Sequence, residues 1–218
     1  DRHPPFTILV LALLTWLLGG ASEIPFHLAY SGFTFLAVLG LYRLLAAWTS
    51  CPREACLLIA VSPPFVVSSH TLMTDVPFLA FFTLALDAYR QLLEEADSRV
   101  AWRAAVLASV CALTQYRGLL LPAMVLACAW AIGRLSRRLL VASAAPFAAI
   151  ACHELAARAL WGVSPLLRSA GFLQMEPRRL LLSIVTYVTS LGGCYVFLIL
   201  ASLGRIRWRR VALALGVG

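Results

Sequence analysis

Apolar positions in this chain run on continuously and are broken only by short polar islands. Several runs approach the ~20 residues that cross a ~30 Å hydrocarbon core, which predicts membrane helices. Barrel strands would be short and would alternate apolar with polar positions. The first run, 4–18, has 15 residues and ends at Gly19-Gly20. At 1.5 Å per residue it is about 22 Å long, which predicts a helix lying in, or dipping into, one face of the membrane. Runs at 24–48, 55–70, 76–93, 104–115, 118–132, 139–161 and 180–203 follow. The pattern predicts an all-α polytopic bundle of about seven spans, with the short interfacial helix before them and a truncated last run, 211–217, after them. The 55–70 run is weakened by Pro63-Pro64. Residues 1–218 read as one transmembrane domain, a fragment of a longer protein with no recognisable signal peptide.

Composition agrees with this reading: 61% of residues are hydrophobic and 13% charged. The net charge of +8 comes entirely from Arg, since the 18 basic residues include no Lys. These Arg residues are scattered between the runs, so membrane orientation explains them better than nucleic acid does. Alternating the seven runs puts twelve Arg (43, 53, 90, 99, 103, 134, 137, 138, 205, 207, 209, 210) on one side and six on the other. The twelve-Arg side is then cytoplasmic. The opposite, outer face collects residues 1–5, the 70–75 hinge, the Gln115-Tyr116-Arg117 break and the 162–179 loop. The six Cys fall mostly inside apolar runs and read as small buried hydrophobes.

Candidate chemistry gathers on that outer face. Asp75 stands in the polar hinge Ser68-Ser69-His70-Thr71-Leu72-Met73-Thr74-Asp75-Val76-Pro77. A carboxylate at the edge of a span is costly unless it is paired or used. It can act as a base or hold a polar substrate, and it can equally cap the helix that follows. His3-Pro4-Pro5 is either a plain helix start or a His presented beside free helix N–H groups, a site for phosphate. Tyr116 fits an interfacial aromatic belt. Arg117 reads as an interfacial anchor or as a phosphate clamp. Glu154 and Arg158, four apart in the 139–161 run, suggest a pair along one helix face. The sequence contains no P-loop, GxSxG or HExxH pattern, and its residues specify no metal site.

Three strings in order carry a resemblance: His3-Pro4-Pro5-Phe6; Ser62-Pro63-Pro64-Phe65 with Thr74-Asp75-Val76-Pro77; and Thr114-Gln115-Tyr116-Arg117-Gly118. Together they resemble the integral-membrane GT-C glycosyltransferases of the protein O-mannosyltransferase and lipid A aminoarabinose transferase type. The resemblance implies transfer of a sugar from a polyprenyl-phosphate carrier to an acceptor, a protein hydroxyl or a lipid or glycan. The setting it implies is the outer face of a bacterial inner or plasma membrane. It implies that Asp75 is the family's second functional acid and that the principal acid lies in the first outer loop, just after a first span that precedes this fragment. His3, His70, Tyr116 and Arg117 would then serve the substrate and its lipid phosphate. Gln115 departs from the Lys found in many members. The implied partners are membrane lipid, the lipid-linked donor and an acceptor, with no nucleic acid and no cofactor. The competing reading is a non-catalytic flippase or transporter of lipid-linked saccharides.

Overall fold

The computed structural model describes residues 5–69, 72, 74–95, 97–162, 164 and 165. His3, His70, the polar loop beyond 165, the 180–203 run and the last Arg cluster lie outside these residues. Eight α-helices make up the described chain, and no strand occurs among the described residues. They are α1 (Phe6–Leu18), α2 (Glu23–Trp48), α3 (Pro52–Ala60), α4 (Pro63–Ser69), α5 (Asp75–Glu95), α6 (Ser98–Thr114), α7 (Leu120–Ala131) and α8 (Arg137–Trp161). A 3-10 turn, Tyr116–Leu119, joins α6 to α7.

Three of these helices, α2, α5 and α8, are long and apolar enough to cross a membrane. Where the apolar runs predict about seven spans, the described residues hold three helices of spanning length and several shorter ones. The clearest departure is the 55–70 run, which forms two helices instead of one. Continuing α3 would require N–H groups at positions 63 and 64 to bond the carbonyls of Ile59 and Ala60, and proline has none. The break is closed locally: the Ser62 backbone N–H (3.1 Å) and hydroxyl (2.7 Å) both donate to the Ile59 carbonyl. Farther along, α6 starts at Ser98 rather than at 104 and carries Arg99 and Arg103 on exposed positions of its first turns. Those two charges hid the beginning of the helix from an apolar-run reading.

Side-chain contacts fix the direction of each helix. Phe33 of α2 meets Phe81 of α5, and Arg43 meets Asp87, so α2 and α5 run parallel. Chain connectivity then requires α3 and α4 to carry the chain back. Arg103 reaches Gln91 while Gln115 reaches Asp75, so α6 is antiparallel to α5. Arg134, just beyond α7, donates to the Leu93 carbonyl. Tyr89 donates to the Ala142 carbonyl near the start of α8 (3.2 Å). The chain thus alternates between two ends of the bundle: one holds Asp75, Gln115, Tyr116 and Glu154, the other Arg43, Asp87, Arg90, Arg103 and Arg134.

The core is built from small residues. Ala104, Ala108 and Ala112, four apart on α6, are fully buried, as are Ala85, Ala88, Ala129 and Cys111. Small side chains at this spacing let helix backbones approach closely, the packing mode available where lipid offers no hydrophobic drive. Two glycines extend it. A Cβ at Gly40 of α2 would overlap the Thr83 hydroxyl of α5, and a Cβ at Gly118 would lie 2.7 Å from the Ala112 backbone nitrogen. The second contact folds the 3-10 turn back onto the end of α6 and so sets the position of Tyr116 and Arg117. Near the Asp75 end, Phe6 of α1 packs edge-on against Phe33 and Phe81 at 6.1 and 5.2 Å. This aromatic cluster holds the first turn of α1, while Leu9, Leu13, Trp16 and Leu17 along the rest of it are exposed.

Candidate functional site

Asp75 opens α5 and is exposed. Gln115 sits opposite, in the extended residue between α6 and the 3-10 turn, and is itself buried. Its amide nitrogen donates to Oδ1 of Asp75 at 3.0 Å and to the Thr74 hydroxyl at 2.8 Å. No backbone N–H among the described residues donates to the Asp75 carboxylate. The side chain turns across to α6 rather than back over its own helix. Its charge still lies in the first turn of α5, where the helix dipole favours an anion. A neutral amide holds this acid in place without neutralising it.

Tyr116 and Arg117 follow Gln115 directly and point to different surroundings. The Tyr116 hydroxyl donates to Oε1 of Glu154 at 2.9 Å. Ser164 donates to Oε2 of the same carboxylate at 2.6 Å. Glu154 is 9% exposed, so both oxygens of a buried acid are served from outside its own helix. The expected partner, Arg158, is exposed on the next turn and forms no ion pair with it among the described residues. A buried carboxylate gains more from converging hydroxyls than from a solvated guanidinium. Burial, and after it the Glu154 carboxylate, push the Tyr116 phenol well above its ordinary pKa, so its proton stays on oxygen. Arg117 is exposed, and its guanidinium has no hydrogen bond or ion pair among the described residues. The Asp75 end therefore presents a free cation, an accessible carboxylate held by an amide, and a second, buried acid that sequence reasoning had assigned to a different partner. His153, next to Glu154, has its Nε2 buried with no hydrogen-bond partner among the described residues.

The other end of α5 holds a polar cluster that sequence reasoning did not single out. Asp87 is 2% exposed. Arg43 of α2 donates to its Oδ2 at 3.0 Å, Arg90 to Oδ1 at 3.0 Å, and Gln91 to Oδ2 at 2.8 Å. Arg90 also bonds Glu94 at 2.8 Å, and Arg103 of α6 closes onto Gln91 at 2.9 Å. The positions of Arg90 and Gln91, three and four residues after Asp87, were a readable signal for half of this cluster. Arg43 comes from a different helix and needed the α2–α5 register.

Among the described residues no group of three His, Cys, Asp or Glu side chains comes together as a metal site would require. The polar groups here bind one another or stand open to a ligand. What fold and clusters define is a helical bundle with membrane-length helices, a charge-locked end and an open, acid-bearing end. No protein family, curated protein or solved structure matches the chain.

Proposed function

We propose that this chain belongs to a GT-C-like glycosyltransferase, with about seven spans over these residues. It would move a sugar from a polyprenyl-phosphate donor to an acceptor on the outer face of the membrane. The observation that carries this reading is the bridge from Gln115 to Asp75. It brings the hinge before α5 against the turn after α6, and so sets an exposed carboxylate at the same bundle end as the exposed Arg117.

The chemistry asks for that pairing of charges. In the transfer, the acceptor oxygen or nitrogen attacks the anomeric carbon, the bond from that carbon to the phosphate oxygen breaks, and the polyprenyl phosphate leaves with the electron pair. The departing phosphate is stabilised by a cation, which Arg117 can supply bidentately. The acceptor proton needs a base. Asp75 holds an acceptor or sugar hydroxyl by accepting its hydrogen bond, while the family resemblance implies a different acid as the principal base. The family resemblance implies His3 and His70 as further contacts to the substrate and its lipid phosphate. Tyr116 directs its proton to Glu154 and thereby braces the turn that carries Arg117.

The test is transfer by the full-length protein in nanodiscs, with a polyprenyl-phosphate sugar as donor. Loss of transfer in Asp75→Asn and in Arg117→Gln, with melting temperatures unchanged, supports the assignment. Undiminished transfer in Asp75→Asn removes Asp75 from the mechanism. Movement of the lipid-linked sugar across the bilayer without any transfer identifies a flippase instead.

A further inference from the structure

A groove of about 350 Å³ lies between α2 and α3, within the ~300–1,000 Å³ common for ligand sites. Its wall includes Phe35, Leu39 and Tyr42 from α2, and Arg53, Cys56 and Leu57 from α3. The Cys56 thiol, 3.6 Å from the Val38 carbonyl, fastens the two helices at its floor. Among the described residues, Arg53 is the single charged side chain in the wall. It is exposed and has no hydrogen bond or ion pair among the described residues. Its neighbour Glu54 is exposed too but does not line the groove. Most other cations at this end of the bundle are engaged: Arg43 and Arg90 by Asp87, Arg103 by Gln91, and Arg134 by the Leu93 carbonyl.

Exposed aromatic residues mark this end as interfacial. Trp48 closes α2, Trp102 lies in the second turn of α6, and Trp130 lies near the end of α7, all three exposed. Tryptophan concentrates at headgroup depth, and Arg anchors there with it. An apolar slot with one free guanidinium at its edge, set at that depth, has the charge and polarity complement of one kind of molecule.

We propose that the α2–α3 groove binds an anionic phospholipid, with an acyl chain along Phe35, Leu39 and Leu57 and the phosphate on Arg53. Such lipids enrich the cytoplasmic leaflet, the side on which the Arg count places this end. The site is separate from the Asp75 end and does not depend on the glycosyltransferase reading; it needs only that the bundle lies in a membrane. One guanidinium near a charged surface favours an anionic headgroup about fivefold.

Native mass spectrometry of the full-length protein, equilibrated with equal phosphatidylglycerol and phosphatidylcholine, tests this. The wild type is expected to retain phosphatidylglycerol about fivefold over phosphatidylcholine. Arg53→Gln should bring the ratio close to one. Leu57→Trp should reduce retention of both lipids; Leu57 is 64% exposed, so that change fills the groove without entering the core. Equal retention of the two lipids by the wild type, or an unchanged ratio in Arg53→Gln at an unchanged melting temperature, overturns the proposal. If Arg53→Gln fails to fold, retention unaffected by Leu57→Trp overturns it alone. Displacement of the lipid by millimolar inorganic phosphate would mark a soluble-anion site and also overturn it.

Discussion

Two carboxylates of one helix, Asp75 and Asp87, meet opposite circumstances. Asp87 is buried and receives donors from Arg43, Arg90 and Gln91, so its charge is fully answered by protein. Asp75 is exposed and is held by one neutral amide. A carboxylate saturated by cations has little left to offer a substrate; it fixes the register of the helices that supply those cations. A carboxylate oriented by an amide keeps both its charge and its free lone pairs. The same residue type serves as a lock at one end of α5 and as an available acid at the other, and the neighbours decide which.

The sharpest way to break this comparison is Asp87→Ala. It strands two guanidiniums, and breaking a buried pair costs about 3–5 kcal/mol. Arg43 is 42% exposed and part of its charge regains water, so the lower half of that range is expected. The readout is the melting temperature in detergent, and melting like wild type would show that Asp87 locks nothing. Asp75→Asn should behave in the reverse way. Transfer is expected to fall by up to about a hundredfold, what a hydrogen bond to a charged acceptor contributes, while stability changes by less than about 0.5 kcal/mol. A large drop in melting temperature with residual activity would erase the distinction between the two acids.

Tyr116→Phe tests the buried acid beside the open one. It removes one of the donors to Glu154 and should cost about 1–3 kcal/mol, measured by thermal or chemical unfolding. Its pH dependence is diagnostic. A phenol whose folded pKa is raised binds its proton more tightly in the folded state. Its contribution is therefore complete below the ordinary tyrosine pKa of about 10 and is lost as pH rises above that value. The stability gap between wild type and Tyr116→Phe should accordingly narrow in strong alkali; a constant gap would remove the Tyr116–Glu154 bond from the account. The smallest effect belongs to Gln115→Ala, which frees Asp75 to swing. Transfer should fall by about tenfold, the equivalent of one lost hydrogen bond, and an unchanged rate would mean that the amide does not orient the acid.

Much of the architecture was legible because an uninterrupted apolar run has few ways to fold. The 24–48, 76–93 and 139–161 runs became α2, α5 and α8 within a few residues. What the sequence hid depends on contacts between helices. Pro63-Pro64 announced a weak point, but the break there follows from two missing donors, which an average over the run dilutes. Arg158 advertised itself as the partner of Glu154 by its spacing, and Tyr116, from another helix end, took that place. Asp87 showed only its neighbours Arg90 and Gln91, while the contact that turns it into a lock comes from Arg43. Gln115 gave no sign of reaching Asp75, because an amide side chain reveals its acceptor only once the two segments are adjacent.

The parallel pairing of α2 with α5 has a consequence for biogenesis. Parallel neighbours require a return passage between them, and here it is made by α3 and α4, of nine and seven residues. Each is far shorter than the ~20 residues that partition into a bilayer unaided. In a bilayer such a return passage would enter late and in company, when Phe65 packs against Ala37 and Ala80 of the two long helices that flank it. Insertion of this stretch is an act of folding, so a fault in the α2–α5 seam would first show itself as a chain threaded incorrectly.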